Sequence, residues 1–373
     1  MSLVPVQWTE YHTYSEFVAG LLALSSSPIV WLDAVGYSVE GRPIWAIKIS
    51  DYPNIKERHE PDVLFVGLHH AREWISAEVP YYFAWKLVEL YDSDPVVKRF
   101  VDNCEIWIVP VVNPDGLEFC RAYFESPESP GENSRYWRKN RVNNSDGTFG
   151  VDLNRNYGTS NWGQDVEEGI ADGSPNPIDE TYWGPSAFSE PETVAMRDLI
   201  LDVENDFQAV VSYHSYWQMI AYPWGYTPDP PVDAASMEAL SQGMAEAIHA
   251  VHGEEYTVVQ GGATYLTVGD MGDWVYEEKG IPGLTIELRP NNPEFDLTYF
   301  ELPEVEILPT CEENWAAALF LMNWVLAQHP LTLTDWGSML LTYGPVIAGG
   351  TAIIIACVVL VIVVYRRRTS LDH

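Results

Sequence analysis

The sequence predicts an α/β layered fold, because short apolar runs alternate with longer amphipathic stretches and the composition can fill a large core. Of 373 residues, 47% are hydrophobic and 13% aromatic. That excludes wholesale disorder and allows one large domain or two ordinary ones. Val63–Leu68, Glu105–Val112, Ala209–Tyr213 and Gly283–Leu288 are short, apolar and rich in β-branched residues, and read as buried strands. Ile75–Tyr91, Pro191–Val203, Ala234–Val251 and Pro309–Ala327 read as helices of three turns or more. Ser189 to Glu192 has the form of an N-terminal cap followed by a first-turn acid. Strands that alternate with helices argue for stacked layers. The Gly-, Pro- and Asp-rich stretch Asp165–Glu180 reads as a long surface loop, and no repeat or low-complexity tract is present.

The chain is strongly acidic: 20 basic residues against 54 acidic ones give a net charge of −34. Such a surface repels nucleic acid, whose phosphates need clustered Lys and Arg. Solubility is the simplest consequence of the acidity, with a high-salt or acid habitat as the competing reading. Four cysteines are too few for a disulfide scaffold. Cys104 and Cys120 flank one predicted strand and its turn, so a pairing is open to them; Cys311 would then stay free and Cys357 lies in the apolar tail. None sits in a C-x-x-C cluster, which argues against zinc ligation by thiolate.

The C-terminus differs from the rest. Met339 to Tyr365 contains no charged residue, which meets the roughly 20-residue length of a membrane-spanning helix. Arg366, Arg367 and Arg368 follow at once and favour a cytoplasmic C-terminus, with the acidic domain on the extracytoplasmic side. The division expected is a domain over 1–329, a linker over 330–338, a transmembrane helix over 339–365 and a short basic tail over 366–373. The lipid bilayer is thus an expected partner. Met1 to Glu16 lacks the basic patch and apolar core of a signal peptide. We expect that the chain lacks its natural start, the alternative being a tail that inserts by itself.

The chemistry-bearing residues fall in separate segments. In Gly67-Leu68-His69-His70-Ala71-Arg72-Glu73-Trp74, His70 and Glu73 are three apart where a predicted strand opens into a helix, so both can face one point. Imidazole and carboxylate both suit zinc, but a surface His–Glu pair explains this motif equally well when taken alone. Arg138 lies in Arg135-Tyr136-Trp137-Arg138-Lys139-Asn140-Arg141, and Arg155 in Gly150-Val151-Asp152-Leu153-Asn154-Arg155-Asn156. Local arginines beside Asn and Trp suit bidentate carboxylate recognition; neutralisation of nearby acids is the alternative. His214, in Ser212-Tyr213-His214-Ser215-Tyr216, ends an apolar strand and could equally be a satisfied strand-end histidine. Glu287 interrupts the apolar strand Thr285-Ile286-Glu287-Leu288-Arg289. A carboxylate there is costly unless it is paired or functional. The choice lies between a general base and a salt bridge to Arg289 on the same strand face.

Taken together and in order, these motifs resemble the metallocarboxypeptidase family of pancreatic carboxypeptidases A and B. Tyr37-Ser38-Val39-Glu40-Gly41-Arg42-Pro43-Ile44, His70-Ala71-Arg72-Glu73-Trp74-Ile75-Ser76 and Pro114-Asp115-Gly116 belong to the match, which runs from about Tyr11 to Ala327. The resemblance implies a single α/β domain with a twisted mixed parallel and antiparallel sheet flanked by helices on both faces. It implies one zinc per chain, held by His70, Glu73 and His214, and release of the C-terminal residue of peptides or proteins. Glu287 then matches the general base, and Arg138 the group that polarises the scissile carbonyl. Asn154, Arg155 and Tyr265 match the grip on the substrate's terminal carboxylate. Arg72, Ser215 and Tyr216 match outer-subsite residues. Glycines 261, 262 and 269 place Tyr265 on a loop able to close over substrate.

The sequence departs from the family at the specificity position. Gly272 stands where an acid marks a preference for basic residues and an aliphatic marks a preference for apolar ones. Asp270, two residues earlier, resembles microbial members of broader tolerance, so a mixed apolar and basic preference is expected; a structural turn residue is the competing reading. The acidic loop Asp165–Glu180 offers carboxylates suited to calcium but no EF-hand spacing, and reads as a solvated loop. The family's digestive members carry an inhibitory prosegment, and this chain starts where their mature enzyme starts. Two other functions compete: a silent binding module on the same fold, and a zinc amidohydrolase acting on another amide or on cell-wall peptides. Intact ligands and base oppose the first; Asn154, Arg155 and Tyr265 oppose the second.

Overall fold

A computed structural model of the chain describes residues 6–125, 134–164, 171–292 and 296–329. The chain divides into two units, Met1–Gln328 and His329–His373, and every element below belongs to the first. The expected linker, transmembrane helix and basic tail, and residues 165–170 of the acidic loop, lie outside the described residues. Among the described residues no helix is long and apolar enough to cross a membrane.

Residue alternation along the central strands sets the layers. In β3 (Asp62–Gly67), Val63 and Phe65 join one buried cluster while Leu64 and Val66 join the other. In β4 (Glu105–Val109), Ile106 and Ile108 face the first cluster, and Trp107 and Val109 the second. A strand buried on both faces is apolar nearly throughout, here after one leading acid (Asp62 in β3, Glu105 in β4), which is why these runs were visible as strands. The first cluster is covered by α1 (Tyr14–Leu24), α2 (Ile75–Leu90), α6 (Ala234–His252) and α8 (Ile307–Gln328), through Phe17, Phe83, Leu240 and Leu321 among others. The second is covered by α5 (Pro191–Leu201) and α7 (Met271–Lys279), through Met196 and Trp274. Each such side chain contributes about 1.5–3 kcal/mol on burial. The short helices α3 (Pro95–Val101) and α4 (Pro114–Glu125) flank β4 in sequence.

The remaining strands are β1 (Val30–Tyr37), β2 (Pro43–Ile49), β6 (Phe207–Ser215), β7 (Met219–Tyr222), β8 (Thr257–Gln260) and β10 (Gly283–Leu288). With β3 and β4 they form one eight-stranded sheet in the order β1-β2-β4-β3-β6-β10-β7-β8. Neighbours β4, β3, β6 and β10 run parallel, while β1/β2, β2/β4 and β10/β7 are antiparallel. The sheet is therefore mixed, as the resemblance implied. The two-residue strands β5 (Ala171–Asp172) and β9 (Leu266–Thr267) pair separately.

Several local expectations are corrected. The strand expected over Glu105–Val112 ends at Val109, because Pro110 has no N–H to continue the ladder. The cap of α5 is Glu190, not Ser189, and Glu190 makes no side-chain cap bond; the Ser189 hydroxyl instead donates to Glu190 Oε1 at 2.7 Å. Cys104, Cys120 and Cys311 are buried free thiols, so Cys104 and Cys120 do not pair.

Three adjacent parallel strands, β3, β6 and β10, end at one edge of the sheet, the place where α/β sheets bind ligands. The turn out of β3 is tightly built. A Cβ on Gly67 would lie 2.1 Å from the Ser76 carbonyl oxygen and 2.8 Å from that of Pro110, so only glycine fits between the strand and α2. Leu68 then adopts the left-handed region at φ 55°, which costs a non-glycine residue about 1–2 kcal/mol. Ser76 Oγ accepts from Leu68 N at 3.1 Å and Asn113 N donates to Leu68 O at 3.1 Å, holding that conformation directly before His69 and His70.

Candidate metal centre and substrate cavity

His70, at the end of β3, Glu73, three residues on, and His214, near the end of β6, converge. His70 Nδ1 lies 2.8 Å from Glu73 Oε1, His214 Nδ1 lies 3.0 Å from Glu73 Oε2, and the two Nδ1 atoms are 3.1 Å apart. All three residues are at most 4% exposed. The outward nitrogens have partners of their own: His70 Nε2 is 3.1 Å from Asp152 Oδ1, and His214 Nε2 is 2.9 Å from Ser212 Oγ. With the proton on each Nε2, both Nδ1 lone pairs point at the same place as a carboxylate. Neutral imidazole oriented by an outer hydrogen bond, together with a carboxylate, is the donor chemistry of zinc, so the residues present fit that ion.

Glu287 sits on β10 in register with His214 on β6. Burial pushes its carboxyl well above the ordinary value, against the pull of His214. Among the described residues it forms no ion pair with Arg289, whose guanidinium instead binds Glu254, Glu306 and Glu313. The salt-bridge alternative for Glu287 is thereby removed. Arg138 donates from Nε to Asp152 Oδ2 at 2.9 Å, and its Nη1 is 3.8 Å from Glu73 Oε1. Burial works against the Arg138 charge, but Asp152 and Glu73 more than compensate and raise its pKa. Asp152 shows the converse: burial would raise its pKa, yet Arg138 and His70 hold it well below the usual carboxylate range.

Arg155 faces the same space. Its Nε donates to the Asp172 carbonyl and its Nη2 to Asp172 Oδ2, both at 2.5 Å. Asn154 Oδ1 accepts from Met271 N at 2.9 Å, and its amide nitrogen is 3.5 Å from His214 Nε2. Tyr265 is 37% exposed, with its ring centroid 6.3 Å from that of Trp217. Toward the outside, Arg72 Nη1 donates to Glu180 at 3.0 Å, and its guanidinium lies 4.5 Å from the Phe300 ring centroid. Ser215 N donates to Glu73 Oε2 at 3.2 Å, and Tyr216 Oη donates to the Asp296 carbonyl at 3.2 Å.

Asp270 caps α7: its Oδ1 accepts from Asp273 N at 3.0 Å and its Oδ2 from the Thr267 hydroxyl at 3.0 Å. The turn-residue reading of Asp270 therefore holds as structure, although its side chain also borders the cavity. Gly272 has no room for a side chain, since a Cβ would lie 2.8 Å from the Gly283 carbonyl oxygen. Its silence about specificity has a packing cause.

His70, Arg72, Glu73, Arg138, Asn154, Arg155, His214, Ser215, Tyr216, Tyr265, Asp270, Gly272 and Glu287 all line one cavity of about 830 Å³. Sequence reasoning gave no role to Asp152, Asp172 or Asp273. Asp152 stands inside the Gly150–Asn156 motif, two residues before Asn154, which was the available signal. Asp273 accepts from Gly225 N and Tyr226 N, from 2.8 to 3.2 Å, and nothing in its local sequence marks that distant partner. The motifs at Tyr37–Ile44 and Pro114–Gly116 prove structural. Asp115 accepts from Ser38 Oγ at 2.7 Å, Glu40 N at 2.7 Å and Arg42 Nη1 at 2.6 Å.

Comparison with known proteins agrees with this geometry. The zinc carboxypeptidase family model matches residues 18–317. Carboxypeptidase A1 of Rattus norvegicus is 31% identical over 330 residues, covering 87% of this chain and 72% of that protein. Carboxypeptidase B of Astacus astacus is 32% identical over 328 residues, covering 86% and 98%. The crystal structure of carboxypeptidase A from Helicoverpa armigera aligns with a TM-score of 0.74 at 29% identity, covering 86% of this chain and 75% of that one. A fold of this order, a buried His–Glu–His donor set and a match across most of the chain lead to one statement: the chain belongs to the zinc carboxypeptidase family.

Proposed function

We propose that this protein is a zinc exopeptidase that releases the C-terminal residue of peptides or proteins. The observation that carries the reading is a single cavity holding an inward-facing His70–Glu73–His214 donor set, a buried Glu287 and the guanidinium groups of Arg138 and Arg155. His70, Glu73 and His214 would hold a zinc ion, which would supply Lewis acidity and make a water at the site more acidic. Glu287 takes the proton of the attacking water and returns it to the leaving amine. Arg138 donates hydrogen bonds where negative charge develops on the scissile carbonyl oxygen. Asp152 keeps both His70 and Arg138 in orientation.

Arg155, with Asn154 and Tyr265, binds the free α-carboxylate and so fixes the cut at the last residue. The fork of Arg155 already holds the Asp172 carboxylate, so substrate enters by exchange with that group. Arg72, Ser215 and Tyr216 bound the outer part of the cleft. The same cavity is lined by the apolar Met219, Ala221 and Val259 and by the acidic Asp270 and Asp273. That combination supports a mixed preference for apolar and basic C-terminal residues.

We also propose that residues 1–329 form the catalytic domain and that 339–365 anchor it to a membrane, on the extracytoplasmic side, through a 330–338 linker and ahead of the 366–373 basic tail. Support comes from the uncharged run followed by three arginines. Detergent-dependent extraction of the full chain, lost on truncation after His329, is the expected result; equal solubility of both forms contradicts the anchor.

The test of the catalytic reading is Glu287→Gln. The variant is expected to keep its zinc while kcat falls by roughly 10²–10⁴-fold. Unchanged turnover removes Glu287 from the role of base.

A further inference from the structure

The loop between β2 and β3 carries a second convergent donor set. Glu57, His59 and Glu60 each offer one ligand atom, and these atoms all lie within 4.8 Å of one another. The two glutamates are 3% and 4% exposed, whereas the His59 side chain is 11% exposed and leaves a route from solvent. His59 Nε2 is 4.0 Å from Glu57 Oε1 and 3.9 Å from Glu60 Oε1. Those separations are too long for hydrogen bonds. They match the reach of two ligand bonds of about 2.0–2.2 Å meeting at one ion.

A second observation is independent of that spacing. Glu60 Oε2 is fully buried and has no hydrogen-bond partner, and the same holds for Oδ1 of neighbouring Asp51. Among the described residues, no lysine or arginine forms an ion pair with either carboxylate. The adjacent acids are treated differently. Lys56 Nζ lies 2.7 Å from Asp62 and 3.3 Å from Glu105, and Lys48 Nζ lies 3.3 Å from Glu105. A buried carboxylate in that setting needs a counter-charge, and lysine supplies it only to the neighbouring pair.

We propose that Glu57, His59 and Glu60 form a second, structural site for a divalent transition-metal cation, with zinc as the representative ion. Two carboxylates balance the charge of such an ion, and the imidazole selects it over calcium and magnesium, which favour oxygen ligands. The site precedes β3 and the catalytic ligands follow it, so six strand residues, roughly 20 Å, separate the two. Bound there, the ion ties the loop to the N-terminal edge of the sheet without touching substrate.

The experiment is metal analysis of the full-length holoenzyme after equilibration in buffered zinc, alongside His59→Ala and Glu60→Gln. The expected result is two zinc ions per wild-type chain and one per variant chain, with peptide turnover unchanged in the variants. Zinc is expected to raise the Tm of the wild type more than that of His59→Ala, a substitution at the partly exposed ligand that leaves the buried pair in place. A wild-type ratio that stays at one overturns the site, as does a ratio of two in both variants. Displacement of the second zinc by equimolar calcium overturns the assignment to a transition metal. Loss of turnover in Glu287→Gln bears only on the catalytic reading, so the two failures are distinguishable.

Discussion

Asp152→Asn tests the orientation of the metal centre without touching a ligand. Asp152 is fully buried and contacts His70 Nε2 at 3.1 Å through Oδ1 and Arg138 Nε at 2.9 Å through Oδ2. Its Oδ1 also accepts from Asn154 N at 2.9 Å. Asparagine keeps the volume and one acceptor oxygen, but it loses the charge and presents an N–H₂ to one of these donors. A hydrogen bond to a charged group is worth about 1.5–3 kcal/mol. At about 1.4 kcal/mol per tenfold change, that predicts zinc affinity weakened roughly 10–100-fold, the usual scale for removing an outer carboxylate. Zinc competition against a fluorescent chelator measures the first effect. Turnover at saturating zinc isolates the second, a further drop in kcat as Arg138 loses its partner. Zinc affinity within twofold of wild type would refute the claim that Asp152 fixes His70.

Two further predictions follow from other parts of the molecule. A panel of peptides ending in Phe, Leu, Arg and Glu is expected to show release of the first three and poor release of Glu, because Asp270 and Asp273 line the cavity together with apolar side chains; strong preference for C-terminal Glu contradicts the mixed pocket. His12 is partly buried, which opposes its charge, but its 2.7 Å contact with Glu78 outweighs that and raises its pKa. A raised histidine pKa stabilises the fold fully below the unfolded value near 6.5, and that contribution fades as pH rises through the folded value. Glu78→Gln is therefore expected to cost about 1.5–3 kcal/mol at pH 6 and distinctly less at pH 9 in urea unfolding. An equal cost at both pH values contradicts the pairing.

The central strands were legible in the sequence because burial on both faces keeps their runs mostly apolar; Gly283–Leu288 matches residue for residue, with Thr285 and Glu287 its polar positions. The edge strand β1 was not, since its residues are mostly half-exposed and show neither a continuous apolar run nor a clean alternation. Helix α7 was also missed: it spans nine residues and carries four charged groups, so its 3.6-residue period is too short to stand out. The candidate site was more legible than the fold because His70, Glu73, Arg138, Arg155, His214 and Glu287 stand in compact local motifs. The groups that were missed act across the chain. Asp172 reaches Arg155 from 17 positions away, and Asp273 reaches Gly225 from 48. Neither relation has a local signature.

The central claim is that one cavity combines a metal centre with a grip on a free terminal carboxylate. The most direct measurement pairs two peptides of identical sequence, one with a free C-terminus and one amidated, incubated with the zinc-loaded protein. Release of a single terminal residue from the free peptide, at a kcat/KM at least 100-fold above that for the amidated one, is the expected outcome. Comparable cleavage of both, or internal cleavage of either, contradicts it.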